Sequence, residues 1–162
     1  MDNEEYDLKQ LKKNYKKLQE KHSLPSFEEL NEDFNIEKIA QFETDILIRE
    51  IRKFVVDKIT GYTRFIEAIF QPVNVPIYMF SMIKCLNLEE KGKLSKIYTK
   101  LVDIELDVLE IDIKFNEEKE VKFLKKSFKI WNNLKEDLLN TICFIRENWE
   151  VNSSPDNKSY FN

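Results

Sequence analysis

Apolar positions recur along most of the chain in steps of three and four, the spacing that returns to one side of a 3.6-residue helix. The pattern is sustained longest between Ile36 and Phe70, where Ile39, Phe42, Ile46, Ile48, Ile51, Val55, Ile59, Tyr62, Ile66 and Ile69 form one stripe that Gln71-Pro72 closes. No proline interrupts it. A single helix of that length rises roughly 52 Å at 1.5 Å per residue, against a diameter of about 40 Å for a compact domain of this size. The spacing therefore predicts a mostly continuous helix, bent gently near Gly61. That residue is the only glycine of the stretch, and glycine costs about 1 kcal/mol relative to alanine in a helix interior.

Upstream, Leu8, Leu11, Tyr15 and Leu18 keep the a, d, a, d spacing of a bundle helix, with Lys12, Lys13, Lys16 and Lys17 on the remaining faces. His22-Ser23-Leu24-Pro25 breaks that helix, because Pro25 disfavours the α conformation of the residue before it. Ser26-Phe27-Glu28-Glu29 has the S-x-x-E form of a capping box, predicting a short helix to about Asp33. Asp33 or Asn35 is then placed to cap the long helix, with Glu37 in its positive first turn.

Tyr15 through Ile39, YKKLQEKHSLPSFEELNEDFNIEKI, together with Arg49-Glu50-Ile51-Arg52 and the Gln71-Pro72 stop, resembles a set of small all-helical archaeal proteins of unknown function. The likeness runs through most of the chain outside its C-terminal tail and is carried by caps, turns and apolar spacing. It implies a helical fold and brings no activity, cofactor or catalytic residue with it.

Downstream, Ile77 to Leu88, IYMFSMIKCLNL, is apolar around nearly its whole circumference. Such a helix is either central in the fold or gives half its surface to a partner; the central placement is expected, and the partner placement makes it a candidate interface. Glu89-Glu90-Lys91-Gly92 reads as a polar break, with the chain resuming at Lys93. From Leu94 to Ile111 the helical stripe continues through Ile97, Leu101, Ile104 and Val108, while VDIELD and LEIDIK in 102–114 also alternate as strands do. Helix is preferred because Asp and Glu are poor strand residues and no turn separates the two runs. An extended segment near Ile111 to Phe115 remains compatible. Asn116 caps the last helix, whose stripe runs Val121, Leu124, Phe128, Trp131, Leu134, Leu138, Ile142, Ile145, Trp149. Residues 151–162 are polar, contain Pro155 and read as a disordered tail beyond a single domain of 1–150.

The composition agrees with helices. Among 162 residues there are two glycines and four prolines, too few for a many-turned β fold, while 42% apolar and 35% charged residues suit one amphipathic bundle. The acidic start MDNEEYDLKQ is unsuited to a signal or transit peptide, and apolar runs fall far short of the roughly 18 residues of a membrane span. A cytoplasmic protein with no membrane partner is expected, with Cys85 and Cys143 as buried free thiols.

Candidate chemistry is limited by what is missing. Gly61 and Gly92 alone cannot build a P-loop or a dinucleotide-binding loop. His22 is the single histidine, so sites that need two are excluded, and in its helix-ending loop it is expected at the surface or bonded to a nearby carbonyl. Glu28, Glu29 and Glu32 form E-E-x-x-E, which resembles the first half of the Mg²⁺ motif of MazG-type all-helical nucleotide pyrophosphatases and implies metal-bound phosphates. The second half of that motif, E-x-x-D, is missing from the stretch that follows; the nearest pair, Glu43 and Asp45, falls on different sides of a helix. A further acidic set, Asp103, Glu105, Asp107, Glu110 and Asp112, has its natural counterpart in Lys122, Lys125, Lys126 and Lys129 of the next helix.

The expectation is an all-α, antiparallel bundle of four to six helices built around one long helix, needing no cofactor, metal or catalytic residue and working by binding another protein or itself. The candidate interface is Phe65, Ile66, Phe70, Tyr78, Met79, Met82 and Ile83. Two alternatives stand beside it. One is a nucleic-acid or ribosome-associated factor using Lys12, Lys13, Lys16, Lys17, Lys122, Lys125, Lys126 and Lys129; for it, a net charge of −4 leaves only local basic faces. The other is the Mg²⁺-dependent nucleotide pyrophosphatase.

Overall fold

The computed structural model describes the backbone of residues 2–41 and 44–149. Of these, 86% are helical and none is in a strand. The elements are α1 (Asp2–His22), α2 (Phe27–Phe34), a 3₁₀ helix (Ile36–Gln41), α3 (Leu47–Phe70), α4 (Ile77–Cys85), α5 (Leu88–Ile113) and α6 (Glu117–Asn148). The tail expected at 151–162 lies outside the described residues, as do Phe42 and Glu43.

Helices α3, α5 and α6 pack against one another as the central layer. Arg52 reaches Asp112 and Glu67 reaches Tyr98, so α3 and α5 run antiparallel. Lys126 reaches Asp103 and Asp107 while Thr141 lies against Glu90, so α5 and α6 also run antiparallel. It follows that α3 and α6 run parallel, and α4 carries the chain between α3 and α5, packing against α6. The 3₁₀ helix, α1 and α2 pack against α3, and α1 also packs on the 3₁₀ helix. Ile51, Ile59, Ile66, Leu94, Leu101 and Leu124 are 1% exposed or less and form the centre of the core.

Local chemistry fixes several boundaries as the sequence predicts. Ser26 accepts from the Glu29 amide at 3.2 Å while Glu29 accepts from the Ser26 amide at 2.8 Å, closing the capping box. Asn116 caps α6 by accepting from the Lys119 amide at 3.0 Å. Tyr15 is buried in the α1 seam, its hydroxyl donating to the Pro25 carbonyl at 2.7 Å and its ring edge-on to Phe27. Between 102 and 114 the chain is helical to Ile113 and turns extended at Lys114.

Two boundaries differ from expectation. The stretch from Ile36 to Phe70 is not one helix: a 3₁₀ helix ends at Gln41 and α3 begins at Leu47. Asn35 is the left-handed C-cap of α2, and Asn31 takes the Glu37 amide at 2.8 Å, so neither Asn35 nor Asp33 starts a long helix. The tighter 3₁₀ winding stacks Ile36 and Ile39 on one edge, and both are 1% exposed. Thr44 accepts from the Ile46 amide at 3.2 Å, a local turn that competes with helical bonding. The break thus falls before Leu47, and α3 runs unbroken through Gly61. The second difference is at Glu89-Glu90-Lys91-Gly92, which lies inside α5. Asn87 accepts from the Glu90 amide at 2.9 Å as its N-cap, and α4 ends at Cys85.

Charge also ties the layer together. Arg52, 6% exposed, lies 2.8 Å from Asp112 of α5 and 2.9 Å from fully buried Glu120 of α6. The Arg52 Nε and Glu120 carboxylate are close enough for an ion pair but lack hydrogen-bond alignment, leaving both Glu120 oxygens without a hydrogen bond. Burial raises the Glu120 pKa above the ordinary carboxylate value, against the pull of Arg52 and Arg49.

Candidate functional site

An open apolar groove of about 550 Å³ runs between α3 and α6, with α4 at one end. Its α3 wall is built at helical spacing from Lys58, Gly61, Tyr62 and Phe65, and its α6 wall from Ile142, Ile145 and Arg146 with Trp149, the C-cap of that helix; Met82 of α4 closes the end. Each wall covers about two helical turns, or about 12 Å. Gly61 lies on the exposed side of α3, off its buried stripe, at the margin of the groove. A Cβ built at Gly61 meets no atom within 4 Å, so the space beside it is open.

The floor is firm. Tyr62 packs on Trp131 with ring centroids 5.4 Å apart, and the Phe34 ring lies 5.9 Å from the same indole. Lys58 donates its ammonium to the Asp33 carbonyl, over the rings of Trp131 at 4.8 Å and Phe34 at 5.6 Å. Burial lowers the Lys58 pKa, Asp33 raises it and Lys135 lowers it. Lys135 pairs with Asp33 at 3.1 Å. With its ammonium so engaged, Lys58 lends the groove its methylene stem. At the rim, Asp57 and Arg146 have no ion-pair partner among the described residues.

Of the expected interface residues, Phe65 and Met82 line this groove together. Tyr78, 53% exposed, stands one turn before Met82 on the same side of α4. Phe70 is turned toward Tyr98 of α5, ring centroids 6.2 Å apart, and Ile83 is half-buried against the core. Ile66 at 0% and Met79 at 6% exposed are core residues and cannot contact a partner. The central placement expected for Ile77 to Leu88 is also corrected. Only Met79 is buried in α4, while Ile77 is 87%, Phe80 45% and Leu88, at the start of α5, 90% exposed.

Tyr62, Ile142, Ile145 and Trp149 belong to stripes that periodicity assigns to the core, and Gly61 is read there as a bend. Nothing in the apolar spacing marks the groove, since Gly61 is exposed and lies off the buried stripe of α3.

The other candidates are placed as follows. Glu29 is occupied by the Ser26 cap, whose hydrogen bonds lower its pKa, and Glu28 lies 3.7 Å from Lys12. Among the described residues no group of three or more His, Cys, Asp or Glu is placed to hold a metal ion. His22 meets Glu117 rather than a carbonyl: its Nε2 is 2.8 Å from the carboxylate, which also accepts from Lys21 at 2.7 Å, joining α1 to α6. Lys12, Lys13, Lys16 and Lys17 of α1 and Lys122, Lys125, Lys126 and Lys129 of α6 are exposed. Of the four lysines expected opposite the acidic set, Lys126 is engaged by Asp103 at 2.8 Å and Asp107 at 2.7 Å, whereas Asp112 pairs with Arg52 instead. Both cysteines are free, yet neither is buried: Cys85 is intermediate and Cys143 exposed, since α6 faces the core through Leu138, Thr141 and Ile145. No helix among the described residues is long and apolar enough to cross a membrane.

No protein-family model, curated protein or solved structure matches the chain.

Proposed function

We propose that this chain is a non-enzymatic interaction protein that holds an apolar helical segment of another protein in the groove between α3 and α6. The single observation that carries the reading is the groove itself: aromatic, aliphatic and thioether walls with open space beside Gly61. Two parallel helices separated by a shallow trough offer anchor pockets to residues at i, i+3, i+4 and i+7 of an incoming helix, the recurrent helix-in-groove mode. Met82 and Trp149 suit such a role, methionine because it adapts its shape and tryptophan because it gives large contact area with few rotors. Tyr78 extends the apolar surface beyond the end of the groove, which favours an elongated occupant over a compact one.

The test uses Trp149 as a reporter. Amphipathic helical peptides of leucine and phenylalanine anchors, titrated into the full chain, are expected to shift its emission to the blue. Gly61→Leu should remove the shift while the protein stays folded by circular dichroism, and Trp149→Phe should remove the signal. A saturable shift with a long-chain fatty acid and none with any peptide would overturn the reading in favour of a small apolar ligand, for which the volume is also sufficient.

A further inference from the structure

A second unpartnered surface lies on α5, away from the groove. The stripe that faces the core runs through Leu94, Ile97, Leu101, Ile104 and Ile111, all buried. Interleaved with it is another: Val102 is half-buried, Leu106 57%, Leu109 61% and Ile113 87% exposed. Its steps of four, three and four are a heptad seam with Leu106 and Ile113 at a and Val102 and Leu109 at d. Among the described residues nothing covers it.

In this register Asp103 and Glu110 occupy e, and Glu105 and Asp112 occupy g, so every flanking position is acidic. Asp103 and Asp112 are neutralised by Lys126 and Arg52. Among the described residues Glu105 and Glu110 form no ion pair; Lys119 and Lys122 line a depression with Glu110 without closing one. The flanks decide what can lie on the seam. A second copy of this ridge would set acid against acid, g against e in parallel pairing and like against like in antiparallel pairing, which is unfavourable either way. A helix with lysine or arginine at those positions gains at each of them.

We propose that the α5 ridge docks a basic amphipathic helix of a partner protein, with Leu106, Leu109 and Ile113 taking its apolar seam and Glu105 and Glu110 its cations. The seam from Val102 to Ile113 is only about 17 Å long, so the charged flanks supply much of the selectivity and binding weakens as salt rises. The site is separate from the groove and does not depend on how the groove is used.

The test uses two fluorescently labelled synthetic helices with leucine at a and d, identical except for lysine or glutamate at e and g, titrated into the full chain and read by anisotropy. The lysine helix should saturate and the glutamate helix should not. Leu106→Gln with Leu109→Gln should weaken the lysine helix by about thirtyfold or more, the scale of lost central anchors. Glu105→Lys with Glu110→Lys should transfer preference to the glutamate helix, while Glu136→Lys with Glu147→Lys on α6 should not. Gly61→Leu should leave all of this unchanged. The proposal is overturned if neither helix binds, if the lysine helix binds the leucine variant as well as the parent, or if preference ignores the Glu105 and Glu110 reversal. It is equally overturned if light scattering shows a dimer that Leu109→Gln dissolves.

Discussion

The groove and the α5 ridge are both apolar and both uncovered among the described residues, yet they are made in opposite ways. The groove is a tertiary product: it needs α3, α4 and α6 at fixed spacing, its aromatic floor is locked by Trp131, and several of its residues are also core residues. The ridge belongs to one helix. Its leucines are more than half exposed, Leu106 at 57% and Leu109 at 61%, so they can change with little effect on the fold. The difference teaches how to separate binding from stability here, since the groove is best blocked by adding atoms at Gly61 and the ridge by changing exposed atoms of a single helix.

The largest effect should come from the residue that holds both surfaces in one frame. Arg52 links α3 to Asp112 of α5 and Glu120 of α6. Arg52→Met leaves Glu120 buried without its nearest cation, and a loss of about 3–5 kcal/mol in chemical denaturation is expected. Adding Glu120→Leu should recover much of it. If Arg52→Met unfolds no more easily than the parent, the buried pair is not what couples the three helices.

Next is a pH effect of the same pair. Glu120 has a folded-state pKa raised above 4.5 by burial, so the folded chain binds the extra proton. Its contribution to stability is complete below the unfolded value and declines as pH rises through the folded one. Glu120→Gln should therefore flatten the fall in stability on the basic side of pH 4.5, measured by urea titration across that window.

The two surfaces then diverge. Gly61→Leu should raise stability by about 0.5–1 kcal/mol through helix propensity alone while closing the groove. Stabilisation with loss of binding would place the occupant beside Gly61. Smallest is the ridge: Leu106→Gln and Leu109→Gln should each change stability by no more than about 0.5 kcal/mol, as exposed helix positions do. A larger loss would mean that the seam is covered in the free chain.

What was legible in the sequence was mostly local. The Ser26–Glu29 box, the Asn116 cap and the α6 stripe depend on residues a turn apart, and all are present. The break before Leu47 was hidden because Ile36 and Ile39, three apart, satisfy a 3₁₀ edge as well as an α stripe. The start of α5 was hidden by Gly92, although Asn87 followed by Glu90 carries a capping signal that outweighs one glycine. The strand-like alternation of 102–114 has a simple origin: two helical stripes, Ile104 and Ile111 inward and Leu106, Leu109 and Ile113 outward, are superposed on one helix. Of the groove, only Phe65 and Met82 belong to the interface that the sequence predicts. Whether Tyr62 or Ile142 lies under a neighbour or beside a trough depends on packing between helices distant in sequence.

The central claim, that the α3–α6 trough is where a partner helix binds, is tested most directly by amide chemical-shift mapping of the ¹⁵N-labelled chain. The probe is an amphipathic peptide with leucine and phenylalanine anchors and no net charge. Shifts should concentrate at 58–65, 142–149 and Met82, leave 102–113 in place, and vanish in Gly61→Leu. Shifts confined to other helices, or unchanged by Gly61→Leu, would contradict it.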